Sequence, residues 1–315
     1  MVCSVDIRRR ARDNSQMRIV RFTVLLATLG LAVKAAAQTN TPAYAFAVAG
    51  DMRSFVGSAP AGKSYFDGAC QALHELGAGE FMVSPGDCDP PGPVRAAIDR
   101  YLGTNYLWFP VAGNHETESV RTMDWLRHWA QGGIPHLVRH GPPGAENTTY
   151  SFDFNDSHFV MLNEYYDGSS ETVRKDDLPE AALEWLEEDL ANNHQPLAWV
   201  VGHKPIKSLP DMDTSRLRHA ADSVSTNSAH LDKFLQILEK HQVRAYICGH
   251  THSSSVANVR GVWQLDSGHA RGGGDVGAPS TFLKVRVAWS SAWVDVYRSN
   301  TNGFAYQLRK TVELN

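Results

Sequence analysis

Five short apolar runs in this chain each stop at a glycine followed at once by a polar side chain. Residues 44–49 precede Gly50-Asp51, 80–85 precede Gly86-Asp87, 107–112 precede Gly113-Asn114-His115-Glu116, 198–201 precede Gly202-His203, and 245–248 precede Gly249-His250-Thr251-His252. Runs this short, bounded by glycine and proline, read as buried strands. Between them lie amphipathic patterns at 65–76, 93–102, 179–190 and 230–240, with Leu183, Leu186 and Leu190 on one helical face. Strand alternating with helix implies a parallel sheet with right-handed crossovers. Ligands of such sheets bind outside the carboxyl ends of the strands, so the five polar ends predict one shared site.

The remainder of the chain changes character. A helix at 120–130 leads into a Gly/Pro-rich loop, and runs at 149–154 and 158–162 flank Asn155-Asp156 as a hairpin. Short strands follow at 256–259, 262–265, 282–288, 292–297 and 304–308. The expected architecture is a parallel α/β half followed by a mostly antiparallel half, packed sheet on sheet with helices outside, as a single domain over 38–315. No internal repeat and no long linker divides it.

Composition agrees with a globular core, at 43% hydrophobic and 20% charged with eight Trp in 315 residues. A net charge of −4 spread over this length offers no basic face for nucleic acid. From Met17 a basic start, the apolar residues 22–33 and Ala35-Ala36-Ala37 follow the order of a secretory signal peptide. Residues 1–37 are therefore expected to be leader and signal, and the mature protein secreted or periplasmic. The apolar stretch is too short for a stable membrane span, which needs about 20 residues. Cys70, Cys88 and Cys248 remain after Cys3 is removed, which permits one disulfide at most, with buried free thiols as the alternative.

Carboxylate, amide oxygen and imidazole together make a ligand set for Zn, Mn, Fe or similar divalent ions. Each piece alone is ordinary turn chemistry; five in order at strand ends are not. The set Asp51, Asp87, Asn114, His203, His250 and His252 resembles that of the calcineurin-like metallophosphoesterases, whose blocks read Asp-x-His, Gly-Asp-x-x-Asp/Asn, Gly-Asn-His-Asp/Glu, Gly-His and Gly-His-x-His. The resemblance covers about 43–268 and implies a four-layer α/β/β/α sandwich of two packed mixed sheets flanked by helices. It further implies one or two divalent ions and hydrolysis of a phosphate monoester or diester by attack of metal-bound hydroxide. By resemblance Asp87 bridges two metals. Asn114, His203 and His250 complete one site, Asp51 and His252 serve the other, and His115 is catalytic rather than a ligand, with Glu116 expected to orient the motif from behind.

Two positions depart from the pattern. Arg53 stands where the first block has a ligating histidine, and a guanidinium stays protonated, so one metal site is a ligand short. Arg53 is expected either to bind substrate phosphate or to pair with Asp89 or Glu116. Asp89 falls one residue early, with Pro90 in the usual place, and is expected to orient His115 or to take up the missing coordination. His269 and Arg271 are candidates for substrate contact, and His269 for the lost ligand. The loop Gly272-Gly273-Gly274-Asp275 reads as a connection, and His128, His136, His140, His219 and His230 as histidines away from the strand ends. The second block has no tyrosine, which argues against iron-tyrosinate chemistry. The rival reading is a catalytically impaired metal- or ligand-binding module on the same fold.

Overall fold

The computed structural model describes residues 43–53, 65–130, 132–171, 177–271, 277–300 and 305–315. The predicted leader and the loop 272–275 lie outside the described residues. Residues Asn40–Asn315 form one compact unit. In chain order its elements are β1 (Tyr44–Val48), α1 (Tyr65–Leu76), β2 (Phe81–Ser84), α2 (Pro91–Leu102), β3 (Leu107–Pro110), α3 (Val120–Arg127), β4 (Leu137–His140), β5 (Tyr150–Phe154) and β6 (Ser157–Met161). They continue with α4 (Glu180–Ala191), β7 (Leu197–Val201), α5 (Ser228–Lys240), β8 (Ala245–Cys248), β9 (Ser254–Val259), β10 (Val262–Ser267), β11 (Thr281–Ala288), β12 (Ser291–Ser299) and β13 (Tyr306–Leu314).

Among the described residues the strands make two mixed sheets, ordered β13-β12-β11-β1-β2-β3 and β4-β5-β6-β7-β8-β10-β9. β1, β2 and β3 pair in parallel, as do β6, β7 and β8. An aromatic core fills the space between the sheets, with Phe46, Phe81 and Phe109 from the first and Phe152, Phe159 and Trp199 from the second. Phe109 stacks on Phe152 with ring centroids 3.8 Å apart. Residues of α1 and α2, including Phe66, Leu73, Val94 and Ile98, cover the outer face of the first sheet. Leu183, Leu186 and Leu190 of α4 with Phe234 and Leu238 of α5 cover the second. The central strands thus bury both faces, the reason β7 and β8 are apolar throughout, and β2 up to its last residue Ser84, rather than alternating. This is the expected four-layer α/β/β/α sandwich.

Three readings need correction. The antiparallel strands do not form a half of their own: β11–β13 return to the first sheet, where β11 lies antiparallel to β1, and β9–β10 extend the second. A single apolar run carries no information about which sheet it will join. β4, alternating half-exposed residues at a sheet edge, lies within the stretch read as loop, and β13 extends to Leu314 because Val294 and Val296 of β12 give it a partner to pair with. For the cysteines the alternative to a disulfide holds, since Cys70, Cys88 and Cys248 are buried free thiols.

Candidate metal centre

Parallel pairing carries the carboxyl ends of β1, β2 and β3 to one edge of the sandwich, and those of β7 and β8 to the same edge. There the two sheets are tied directly. His203 Nδ1 donates to the Pro85 carbonyl (2.7 Å), and the His250 amide donates to Asp51 Oδ2 (2.9 Å). Asp51, Asp87, His250 and His252 all have φ between 51° and 68°, a left-handed conformation unusual for residues other than glycine. Backbone strain of this kind persists where the surroundings over-determine it, and it gathers at functional sites. Close approach also explains Gly113: a Cβ there would lie 2.3 Å from Asp87 Oδ1 and 2.9 Å from His203 Cε1.

Four predicted ligands converge. His203 Nε2 lies 3.1 Å from Asn114 Oδ1, 3.5 Å from Asp87 Oδ1 and 3.2 Å from His250 Nδ1. Hydrogen bonds on the far side of each ring set the tautomers. Because His203 Nδ1 donates to a carbonyl, neutral His203 turns a lone pair inward from Nε2. His250 Nε2 donates to Asp222 Oδ2 at 2.7 Å, so Nδ1 also offers a lone pair. Two imidazole lone pairs, an amide oxygen and a carboxylate oxygen facing one point repel each other unless a cation lies among them. This donor set fits a divalent ion.

The surrounding carboxylates make the site a place for positive charge. Burial opposes a charged His203, but the Asp87, Asp51 and Glu164 carboxylates outweigh it and hold its pKa above the ordinary value. For His250, burial and the positive potential of His203 and His219 hold the pKa well below ordinary, so it stays neutral. Asp51 is lowered despite its burial, through its hydrogen bond to and charge interaction with His252 and through the charge of His203.

Asp51, Asp87 and His252 form a second grouping, with Asp51 Oδ1 3.4 Å from His252 Nε2. Arg53 is turned along its rim. Nη1 donates to His115 Nε2 at 2.6 Å, Nε pairs with Asp89 Oδ2 at 3.3 Å and Nη2 with Glu118 Oε2 at 3.2 Å. Asp89 is thus the partner of Arg53 and not the residue that orients His115. That task falls to Glu118, whose Oε1 lies 2.9 Å from His115 Nδ1. Burial and the nearby Asp87 charge, against the pull of Arg53, push the Asp89 carboxyl up to about 6. Glu116 differs as well: it is fully buried, and its Oε2 accepts from the Gly113 amide (2.6 Å) and the Asp87 amide (2.9 Å). It staples the second and third loops together and touches neither Arg53 nor His115. Burial and the charges of Asp87 and Asp89 raise its pKa well above the carboxylate range.

His269 does not replace the missing ligand. It is buried against the His252 ring, with Nε2 donating to the Ala278 carbonyl (2.9 Å) and Nδ1 accepting from the Arg271 amide (3.2 Å). His219, read as lying away from the strand ends, is in fact packed against His250, and Arg218 and Asp222 of the same loop after β7 were not singled out in the sequence. Asp222 backs His250, His219 lies with its ring 4.4 Å from that of His250 and its Nδ1 3.1 Å from Asp222 Oδ2, and Arg218 donates to His252 Nδ1. None follows a strand directly. The only available signal was the accumulation of His, Arg and Asp in a loop between two ligand-bearing strands.

A model of the family described as calcineurin-like phosphoesterase matches residues 26–254. The chain belongs to this family. Solved structures that resemble this chain include PhoD, with 11% identity over 88% of this chain and 70% of that one (TM-score 0.58). Another is GAP50, described as the anchor in the inner membrane complex of Plasmodium, with 16% identity over 86% of this chain and 88% of that one (TM-score 0.52). At these identities the likeness concerns the fold. No curated protein matches the chain.

Proposed function

We propose that this family member is a secreted, divalent-cation-dependent phosphoesterase that hydrolyses a phosphate monoester or diester. The observation that carries the reading is the convergence of lone pairs from Asp87, Asn114, His203 and His250 beside a half-exposed Arg53 and His115. Secretion rests on the pattern of residues 17–37. Among the described residues no helix is long and apolar enough to cross a membrane.

The cation would be held by those four side chains, where it supplies Lewis-acid stabilisation of phosphoryl charge and acidifies the attacking water. The other tasks belong to the chain itself. Arg53 presents a permanent fork of donors at the mouth, suited to two phosphoryl oxygens. Glu118 holds the proton of His115 on Nδ1, leaving Nε2 to accept from Arg53. An entering phosphate draws the guanidinium away, which frees His115 Nε2 to take a proton from solvent and deliver it to the leaving oxygen. Phosphoryl transfer asks mainly for positioned positive charge, and these groups provide it.

The second reading, a binding module without turnover, draws on one observation: the bond from Arg53 occupies the His115 nitrogen that catalysis needs. Hydrolysis of an aryl phosphate monoester and diester, measured with added Mn, Zn and Fe over a range of pH, decides between them. Turnover is expected in the wild type. His115→Ala should lower kcat by about 10²–10⁴, the usual worth of a general acid, while retaining bound metal. A wild type that binds metal and cleaves neither ester supports the module.

A further inference from the structure

The two histidines of Gly249-His250-Thr251-His252 are held in opposite tautomers. His250 gives its proton from Nε2 to Asp222 and turns the Nδ1 lone pair toward His203. His252 receives a hydrogen bond from Arg218 at Nδ1. A guanidinium has no acceptor, so that nitrogen carries the lone pair and the proton sits on Nε2, facing Asp51 Oδ1 at 3.4 Å. The ring atom that would have to ligate an ion beside Asp51 is therefore an N–H donor. Moving the proton to Nδ1 would set it against the donor of Arg218. Arg53 occupies the position of a further ligand and cannot serve as one, and both nitrogens of His269 are engaged by backbone.

We infer that this chain holds a single divalent cation, among Asp87, Asn114, His203 and His250, and that in the Asp51–His252 half the positive charge comes from the Arg53 and Arg218 guanidiniums instead of a second ion. The inference rests on the metal reading of the proposed function and specifies its stoichiometry. The grouping His219–Asp222–His250 does not add an ion of its own. His250 would have to give up its one ring N–H proton, whereas Asp222 as acceptor fixes the tautomer that the cation site needs.

Dialysis of the metal-free full chain against Mn²⁺ alone, followed by elemental analysis, tests this without reference to turnover. One ion per chain is expected in the wild type, none in Asn114→Ala or His250→Ala, and still one in His252→Ala. The double variant Arg53→His, Arg218→Ala should rise to two. Long-range ¹H–¹⁵N spectra of the wild type, metal-free and loaded with Zn²⁺, should keep the proton of His252 on Nε2 in both states. They also decide the matter if a variant fails to fold. Two ions in the wild type with one lost in His252→Ala, or a His252 Nε2 that loses its proton on loading, overturns the inference and leaves the metal reading standing. A wild type that binds no ion overturns both.

Discussion

At the scale of single residues, the site depends on groups two kinds of distance from the chemistry. Glu116 touches no predicted ligand side chain, yet its one oxygen holds the amides of Gly113 and Asp87. Glu116→Ala removes that acceptor and leaves the two amides unpaired, and a buried donor left without its partner costs roughly 1–3 kcal/mol. Chemical denaturation should show a loss of that order, together with weaker cation binding. Gly113→Ala is expected to be worse for the site than for the fold, because the added carbon collides with Asp87 and His203 rather than with core; cation affinity should fall further than stability. Glu118→Gln leaves the fold untouched and should reduce turnover less than His115→Ala, since the amide oxygen still accepts from His115 Nδ1.

Elements set the alignment that these residues use. Phe81 of β2 contacts Phe46, Phe109, Phe152 and Phe159, so it joins both sheets at the level of the core. Phe81→Ala should cost about 3–5 kcal/mol in a denaturation midpoint measured at unchanged m-value. A different device ties β5 and β6 to α4. His158 lies almost fully buried between Asp153 (2.7 Å) and Asp189 (2.9 Å). Burial disfavours its charge, but the bonds and charges of Asp189 and then Asp153 prevail, and its pKa is raised above the unfolded value of about 6.5. The folded state binds this proton more tightly than the unfolded state, so the contribution is complete below about pH 6.5 and is lost as pH rises through the folded pKa. Denaturation at pH 5.5 and 8.5 should show that loss, and His158→Gln should remove the pH-dependent part.

Across the whole molecule, the edge where the two sheets meet carries Asp51, Asp87 and Asp222 close together, and so stores unfavourable charge that a bound cation relieves. A ligand that binds only the native state stabilises it by mass action, by about 2.7 kcal/mol at a hundredfold excess over Kd. Chelation should therefore lower the melting temperature, and Mn²⁺ should restore it in the wild type but not in Asn114→Ala.

Much of this was legible in the linear chain. Strands β1, β2, β3, β7 and β8 were readable because burial on both faces demands short apolar runs, and their glycine-bounded polar ends marked Asp51, Asp87, Asn114, His203, His250 and His252 by position alone. The anomaly at Arg53 was equally plain, since no conformation lets a guanidinium ligate. What the sequence could not decide was pairing: that β11 would close on β1, and that Glu118 rather than Asp89 would hold His115. Only the tertiary structure brought Arg218, His219 and Asp222 from a loop to the two histidines after β8. Local residue type determines which chemistry a side chain can perform. Which ring nitrogen keeps its proton depends on a partner some thirty positions away, and that is settled only when both sheets have packed.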